Sequence, residues 1–327
     1  MKPAVLFLLI FCLSFSIKAQ FNAEKDPYLT RSLKGQSINK VNARTSGGSI
    51  SVASIQSGEP RLEVYVRPSG KNGSSVSKAE LQKKLEQDYE LKISVANGLL
   101  NVSARAKNNL NWKRQLSISY KIFVPQKTST DLSTSGGSIK LAGLTGSQEF
   151  VTSGGSLHVE QMSGQINGKT SGGSIHAANS SGVISLSTSG GSLNLTGLQG
   201  TINATTSGGS INGSDIKGEL ITSTSGGSVN LNNLSCSLET STSGGSMNVS
   251  IKELGKYVSV SSAGGNIKLQ FPGNKGVSLK VDGNNLKVGP LNNFKGQNDE
   301  RSIYGTMNGG GIPIKVHGNN GVTVVFL

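Results

Sequence analysis

The pentapeptide Thr-Ser-Gly-Gly-Ser begins at Thr134, Thr152, Thr170, Thr188, Thr206, Thr224 and Thr242, seven copies separated by six identical steps of 18 residues. Loops between independently packed units vary in length, whereas coils stacked on one another cannot. The invariant step therefore predicts a solenoid in which each copy is one coil. An eighth copy, Thr45 to Ser49, lies far upstream. A degenerate one, Ser262-Ala263-Gly264-Gly265-Asn266, follows the last copy after a two-residue insertion. Both are expected to form capping or transitional coils.

With the motif Thr as position 1, apolar residues fill position 6 (Ile139, Leu157, Ile175, Leu193, Ile211, Val229, Met247) and most of position 8 (Leu141, Val159, Ala177, Leu195, Leu231, Val249). This period of two is that of a strand. Position 11 is again mostly apolar, position 13 is Gly146, Gly164, Gly182, Gly200, Gly218 and then Cys236, and position 15 resumes with Ile166, Ile184, Ile202, Leu220 and Leu238. Two strands per coil follow. One corner falls at the pairs Gly136-Gly137, Gly154-Gly155, Gly172-Gly173, Gly190-Gly191, Gly208-Gly209, Gly226-Gly227 and Gly244-Gly245, the other at the apolar-x-Gly step. Glycine is expected at both because tight corners demand positive φ. Helices cannot survive such recurrent glycine pairs. A single coil buries too little to offset its ordering, so the coils must stack at about 4.8 Å with a shared interior. Position 7 then becomes an outward ladder: Lys140, His158, His176, Asn194, Asn212, Asn230 and Asn248. Stacked amides can bond along such a column, and the motif Thr and Ser are expected to form hydroxyl ladders beside it.

The flanks differ in kind. Residues 20–130 hold 18 basic and 8 acidic side chains, residues 131–250 hold 3 and 6, and residues 251–327 hold 9 and 4, so the formal net charge of +14 is confined to the ends. Ser77-Lys78-Ala79-Glu80 reads as a capping box opening a helix to about Tyr89. Leu91 to Ala96, Asn97-Gly98 and Leu99 to Ala104 read as a hairpin with a type I′ turn. Gln115 to Val124 reads as a strand stopped by Pro125, and Val322 to Leu327 as the final strand of a closing cap. At the start, Lys2, an apolar run from Ala4 to Ile17 and Ala19-Gln20 have the pattern of a signal peptide. The run is short for a membrane span. The expected organisation is a signal peptide at 1–19, a β region continuous with the solenoid at 20–130, the repeat solenoid at 131–266 and cap coils at 267–327. The fold class is all-β: a parallel β-helix or solenoid with one short helix near its N-terminal end. Export would leave Cys236 as the one thiol of the mature chain, buried or linking two molecules.

Composition and spacing also limit function. With 34% hydrophobic residues and two cysteines, the chain is neither a multi-span membrane protein nor a disulfide scaffold. In the repeat body Glu149 and Glu239 share position 16 but stand five coils apart, too far to act on one bond. Asp215 and Glu219 flank one corner and form the only candidate carboxylate pair, better explained as a solvated corner. Hexapeptide acyltransferase coils require apolar residues every six positions, which these columns lack. Nonapeptide calcium repeats require an Asp after the glycine pair, where Ser stands here. His158 and His176 share position 7 on adjacent coils with Glu160 close by, and a polar ladder explains them without a metal. An ice-binding face would need paired Thr ranks, yet the rank before each motif Thr is irregular (Ser133, Val151, Lys169, Ser187, Thr205, Ser223, Ser241). The aromatic platforms that sugars commonly use could come from Phe150 in the body or Tyr65, Trp112, Tyr120, Tyr257 and Tyr304 in the flanks. No catalytic residue, metal or cofactor is assigned.

The run Ile122-Phe123-Val124-Pro125, a polar spacer, the Thr-Ser-Gly-Gly-Ser-Ile repeats and the Gly-rich Asn308-Gly309-Gly310-Gly311 end resemble the bacterial putative-adhesin family, secreted β-repeat proteins of unknown function. The Ala19-Gln20 end of the leader resembles exported proteins of Bacteroidetes-type bacteria. The resemblance implies a parallel β-solenoid and adhesion, and carries no catalytic motif. The expected role is an exported, non-enzymatic surface of Ser, Thr and Asn in the periplasm, on the outer surface or outside the cell. Its basic ends point to anionic glycans, lipopolysaccharide or other cell-surface ligands, and not to nucleic acid. A polysaccharide-active β-helix enzyme and a structural envelope protein without a soluble ligand are the alternatives.

Overall fold

The computed structural model describes residues 26–69, 77–108 and 115–327; the expected leader and Trp112 lie outside them. Among the described residues the chain forms 25 strands, numbered in chain order, and one helix. Each regular coil contributes a four-residue strand over positions 6–9, as in β9 (Ile139–Ala142), β11 (Leu157–Glu160) and β13 (Ile175–Ala178). It continues with an eight-residue strand over position 12 to the next motif Thr, as in β10 (Thr145–Thr152), β12 (Ser163–Thr170) and β14 (Ser181–Thr188). Strands of one kind pair in parallel with a shift of one repeat: Leu157 lies between Ile139 and Ile175, and Thr170 between Thr152 and Thr188. Side chains at positions 6, 8, 11 and 15 therefore form continuous buried columns.

The pentapeptide is explained residue by residue. Thr206 Oγ1 donates to the carbonyl oxygen of Gly191 in the preceding coil (2.8 Å) and accepts from the Gly209 N–H of its own (3.3 Å), and the same pair of bonds recurs at Thr152, Thr170, Thr188, Thr224 and Thr242. The motif threonines are accordingly buried, which corrects the expected outward hydroxyl ladder at position 1 and removes the Thr rank of an ice-binding face. Position 5 supplies a different link, the Ser210 N–H donating to Ser192 Oγ (3.3 Å). None of the fourteen motif glycines has positive φ, contrary to the expectation. The second of each pair is glycine because coils touch there: a Cβ on Gly191 would overlap the Gly173 carbonyl.

Positive φ is used at two other places. Position 10, occupied by Gly143, Gln161, Asn179, Gly197, Asp215 and Asn233, lies at φ between 50° and 69° and turns the chain between the two strands, so the second corner sits earlier than the apolar-x-Gly step. Asn and Asp tolerate this left-handed conformation better than other side chains. The position 13 glycines open the long strands at φ between 104° and 130°. Where Cys236 replaces that glycine no positive φ is adopted, and the two strands merge into one, β19 (Val229–Thr242).

Packing along a column is complementary in size. Phe150 is fully buried over Gly168, whose added Cβ would lie 2.6 Å from Phe150 Cζ. Gly168→Ala is expected to destabilise the fold by about 1–3 kcal/mol, as overpacking does. A second change, Phe150→Leu, should restore most of it. Urea unfolding of the two single variants and the double variant checks this; additive losses would mean the two residues do not share that space.

Both ends are built out of chain order. The coil of β2 (Lys40–Thr45) and β3 (Ile50–Ser54), holding the upstream motif copy, stacks directly against β8 (Ser129–Thr134) and β9. Its other side is covered by β6 (Leu99–Ala106) and β7 (Leu116–Val124), which come later in the chain. At the far end β25 (Ile312–Phe326), the last strand, lies between β20 (Met247–Ser262) with β21 (Ile267–Phe271) on one side and β22 (Val277–Val288) on the other. The terminal strand is thus an inner rung of the C-terminal end. Antiparallel strands finish each end: β5 (Tyr89–Ala96) on β6, β4 (Arg61–Pro68) on β7 and β1 (Leu29–Ser32) on β4, against β24 (Ser302–Met307) on β22 and β23 (Phe294–Asn298) on β24. Helix α1 (Lys78–Asp88) starts at a formed capping box, Ser77 with Glu80, and buries Leu81 and Leu85.

Candidate functional site

On the four-residue strands positions 6 and 8 point inward, so 7 and 9 form the outer face. Row 7 is longer than the repeats imply. Register carries it from Lys121 and Ser51 through Lys140, His158, His176, Asn194, Asn212, Asn230 and Asn248 to Lys268, Thr323 and Lys287. Lysines stand at both ends of a neutral middle. Asn212 Nδ2 donates to Asn194 Oδ1 and Asn230 Nδ2 to Asn212 Oδ1, each at 3.2 Å, while the Asn194 amide faces His176 Nδ1 at 3.4 Å. The ladder expected at Asn194, Asn212 and Asn230 is bonded amide to amide. Asn248 continues the row in register and is exposed. Row 9 beside it carries small and polar residues such as Thr196, Ser214 and Asn232, leaving a shallow furrow of about 210 Å³ between the rows.

His158 and His176 stack face to face, ring centroids 5.0 Å apart and planes within 6°. Parallel rings aim their nitrogens along parallel lines, not at one point, and no three potential metal ligands gather among the described residues. Partial burial, then His176 and Lys140, hold His158 below the ordinary imidazole range. The unfolded chain then takes up this proton at a higher pH than the folded one, so stability should fall as pH drops through the imidazole range and recover as it rises. Side-chain NMR titration is expected to place His158 below a free imidazole, and Lys140→Gln to move it part of the way back. An unshifted His158 would contradict this electrostatic account.

The other candidates are dispersed. Glu219 accepts a hydrogen bond from the Tyr257 hydroxyl (2.8 Å), which pushes the phenol up to about 12, whereas Asp215 occupies a left-handed corner and accepts from the Asn233 amide. Each carboxylate of that pair thus has its own partner. Glu149 and Glu239 are five rungs apart, as expected. Of the aromatic candidates Phe150, Tyr65 and Tyr120 are core residues, Tyr257 is engaged with Glu219, and Tyr304 is exposed. Cys236 is buried, and its burial pushes the thiol up to about 12. No described helix is long and apolar enough to cross a membrane. Sequence reasoning missed the lysines that end row 7: Lys268 stands at position 7 of the degenerate copy and is legible there, whereas Lys121 and Lys287 lie outside the repeats and join the row only through the rearranged chain order.

Among solved structures, the chain is similar to a putative cell adhesion protein from Clostridium sporogenes (14% identity, 91% of this chain and 97% of that one, TM-score 0.20). It is also similar to a putative adhesin from Bacteroides fragilis (13%, 91% and 96%, TM-score 0.31) and a putative lipid binding protein from Parabacteroides distasonis (13%, 92% and 97%, TM-score 0.36). No curated protein matches it. The seven-copy solenoid and most of the C-terminal end fall within the stretch that the model of one family spans, with β1 to β3 preceding it: residues 55–325 match Toastrack DUF4097, and the chain belongs to that family.

Proposed function

We propose that the protein is a non-enzymatic binding scaffold, acting at the cell envelope or outside the cell, whose row 7 face holds a glycan lying along the coil axis. The observation that carries this reading is the bonded amide row. Each Asn side chain has two N–H donors and a carbonyl oxygen with two lone pairs; the ladder engages one donor and one lone pair at the inner rungs and leaves the others facing solvent. A rigid row of paired donors and acceptors repeating at about 4.8 Å suits a polymer of sugar hydroxyls, because the protein side need not order itself on binding. The separate engagement of Asp215 and Glu219 supports a binding role over cleavage.

The test is a glycan array of the full chain run beside depolymerisation assays. Saturable binding without product is expected, and Asn212→Leu with Asn230→Leu should weaken it about tenfold by deleting the exposed amides. Turnover abolished by Asp215→Ala or Glu219→Ala would overturn the proposal in favour of an enzyme. Absence of any binding would favour a structural envelope protein.

A further inference from the structure

At its C-terminal end the face deepens into a groove of about 560 Å³. Row 7 there reads Asn248, Lys268, Thr323 and Lys287 on successive coils. The facing wall, at the motif corner, reads Asn266, Gly321 and Asn285, with the Gly321 N–H donating to Asn266 Oδ1 at 3.0 Å. The short rung Gly321 and Thr323 is therefore bracketed by two longer ones, each carrying an Asn and a Lys. Two lysines stand two rungs apart, about 9–10 Å by strand spacing. No Asp or Glu lines the groove, and among the described residues neither lysine joins an ion pair.

Two unneutralised ammonium groups beside amides and a hydroxyl call for a ligand that offers anions and hydroxyls together. The apolar residues of the lining, Met247 and Ile267, are buried, so no surface is offered to an acyl chain. A sugar in an extended chain advances by about one strand spacing, so charges on alternate sugars would meet Lys268 and Lys287 in turn. We propose that this groove is the carboxylate-binding subsite for an acidic polysaccharide whose chain continues along the Asn ladder. The proposal rests on the reading of row 7 as a glycan-binding face and adds the charge of the ligand and the end at which it is anchored. Lysine acts here as a point charge, so binding should weaken with added salt.

Full-length protein is titrated with polygalacturonate and with the same polymer methyl-esterified, which keeps the sugar and removes its charge. The acid form should bind about tenfold more tightly, and Lys268→Gln with Lys287→Gln should abolish this preference while the unfolding midpoint stays unchanged. Asn212→Leu with Asn230→Leu should weaken both forms alike. Equal binding of acid and ester, or a preference that survives loss of both lysines, overturns the subsite and leaves the glycan face standing. Failure of both polymers together with lysine-dependent binding to anionic phospholipid vesicles overturns both readings in favour of a lipid surface.

Discussion

Gly191→Ala is expected to destabilise the protein by about 3 kcal/mol or more, and Gly190→Ala, one residue earlier in the same bend, to change stability by no more than about 0.5 kcal/mol. A Cβ at position 191 would overlap the carbonyl group of Gly173, and the obstacle is backbone of the neighbouring coil. No rotamer can relieve it. The coils would have to separate at that corner, which would also stretch the bond from Thr188 Oγ1 to Gly173 O. Gly190 is exposed, its nearest neighbour to an added Cβ is 3.5 Å away, and its φ is not positive. Urea unfolding midpoints of the two variants decide the matter. Equal losses would mean that the pair is kept for conformational freedom and not for clearance.

Thr206→Val should cost about 2–4 kcal/mol, although it exchanges a hydroxyl for a methyl of similar size. Two polar groups would lose their partner, the Gly191 carbonyl at 2.8 Å and the Gly209 N–H at 3.3 Å, and each unsatisfied buried group costs about 1–3 kcal/mol. Thr206→Ser keeps both bonds and should cost about 1 kcal/mol for the lost methyl. The chain contains its own control: Ser262, in the degenerate copy, donates to Gly245 O and accepts from Gly265 N as the threonines do. A valine variant as stable as the serine variant would show that the hydroxyl bridge contributes nothing.

Much of this architecture is legible in the sequence because an exact period fixes register. Once Leu157 is placed between Ile139 and Ile175, every other residue of the coil follows, including the inward columns and the amide row. What a period cannot convey is which group a side chain touches across the coil boundary. Thr and Gly at positions 1 and 4 look like turn formers, but their recurrence arises from a bond and a contact between coils, both invisible from one copy. The left-handed corner at position 10 is hidden because Gly, Gln, Asn and Asp all meet its single demand on φ and so leave no consensus. Two lysines of row 7 are hidden for another reason: Lys121 and Lys287 join the row only after distant segments interleave.

That interleaving has a consequence for how the array comes apart. A solenoid whose chain ends coincide with its outermost rungs can unzip from either terminus, one unit at a time. Here β2, β3 and β25 are each sandwiched, and apart from the short edge strand β1 the strands outside them are internal segments of the polypeptide, tethered on both sides. Beyond β1, peeling cannot begin at a loose thread. Amide hydrogens of β2, β3 and β25 should therefore exchange as slowly as those of the central repeats, and any additional 18-residue unit has room to enter only between the two bookends.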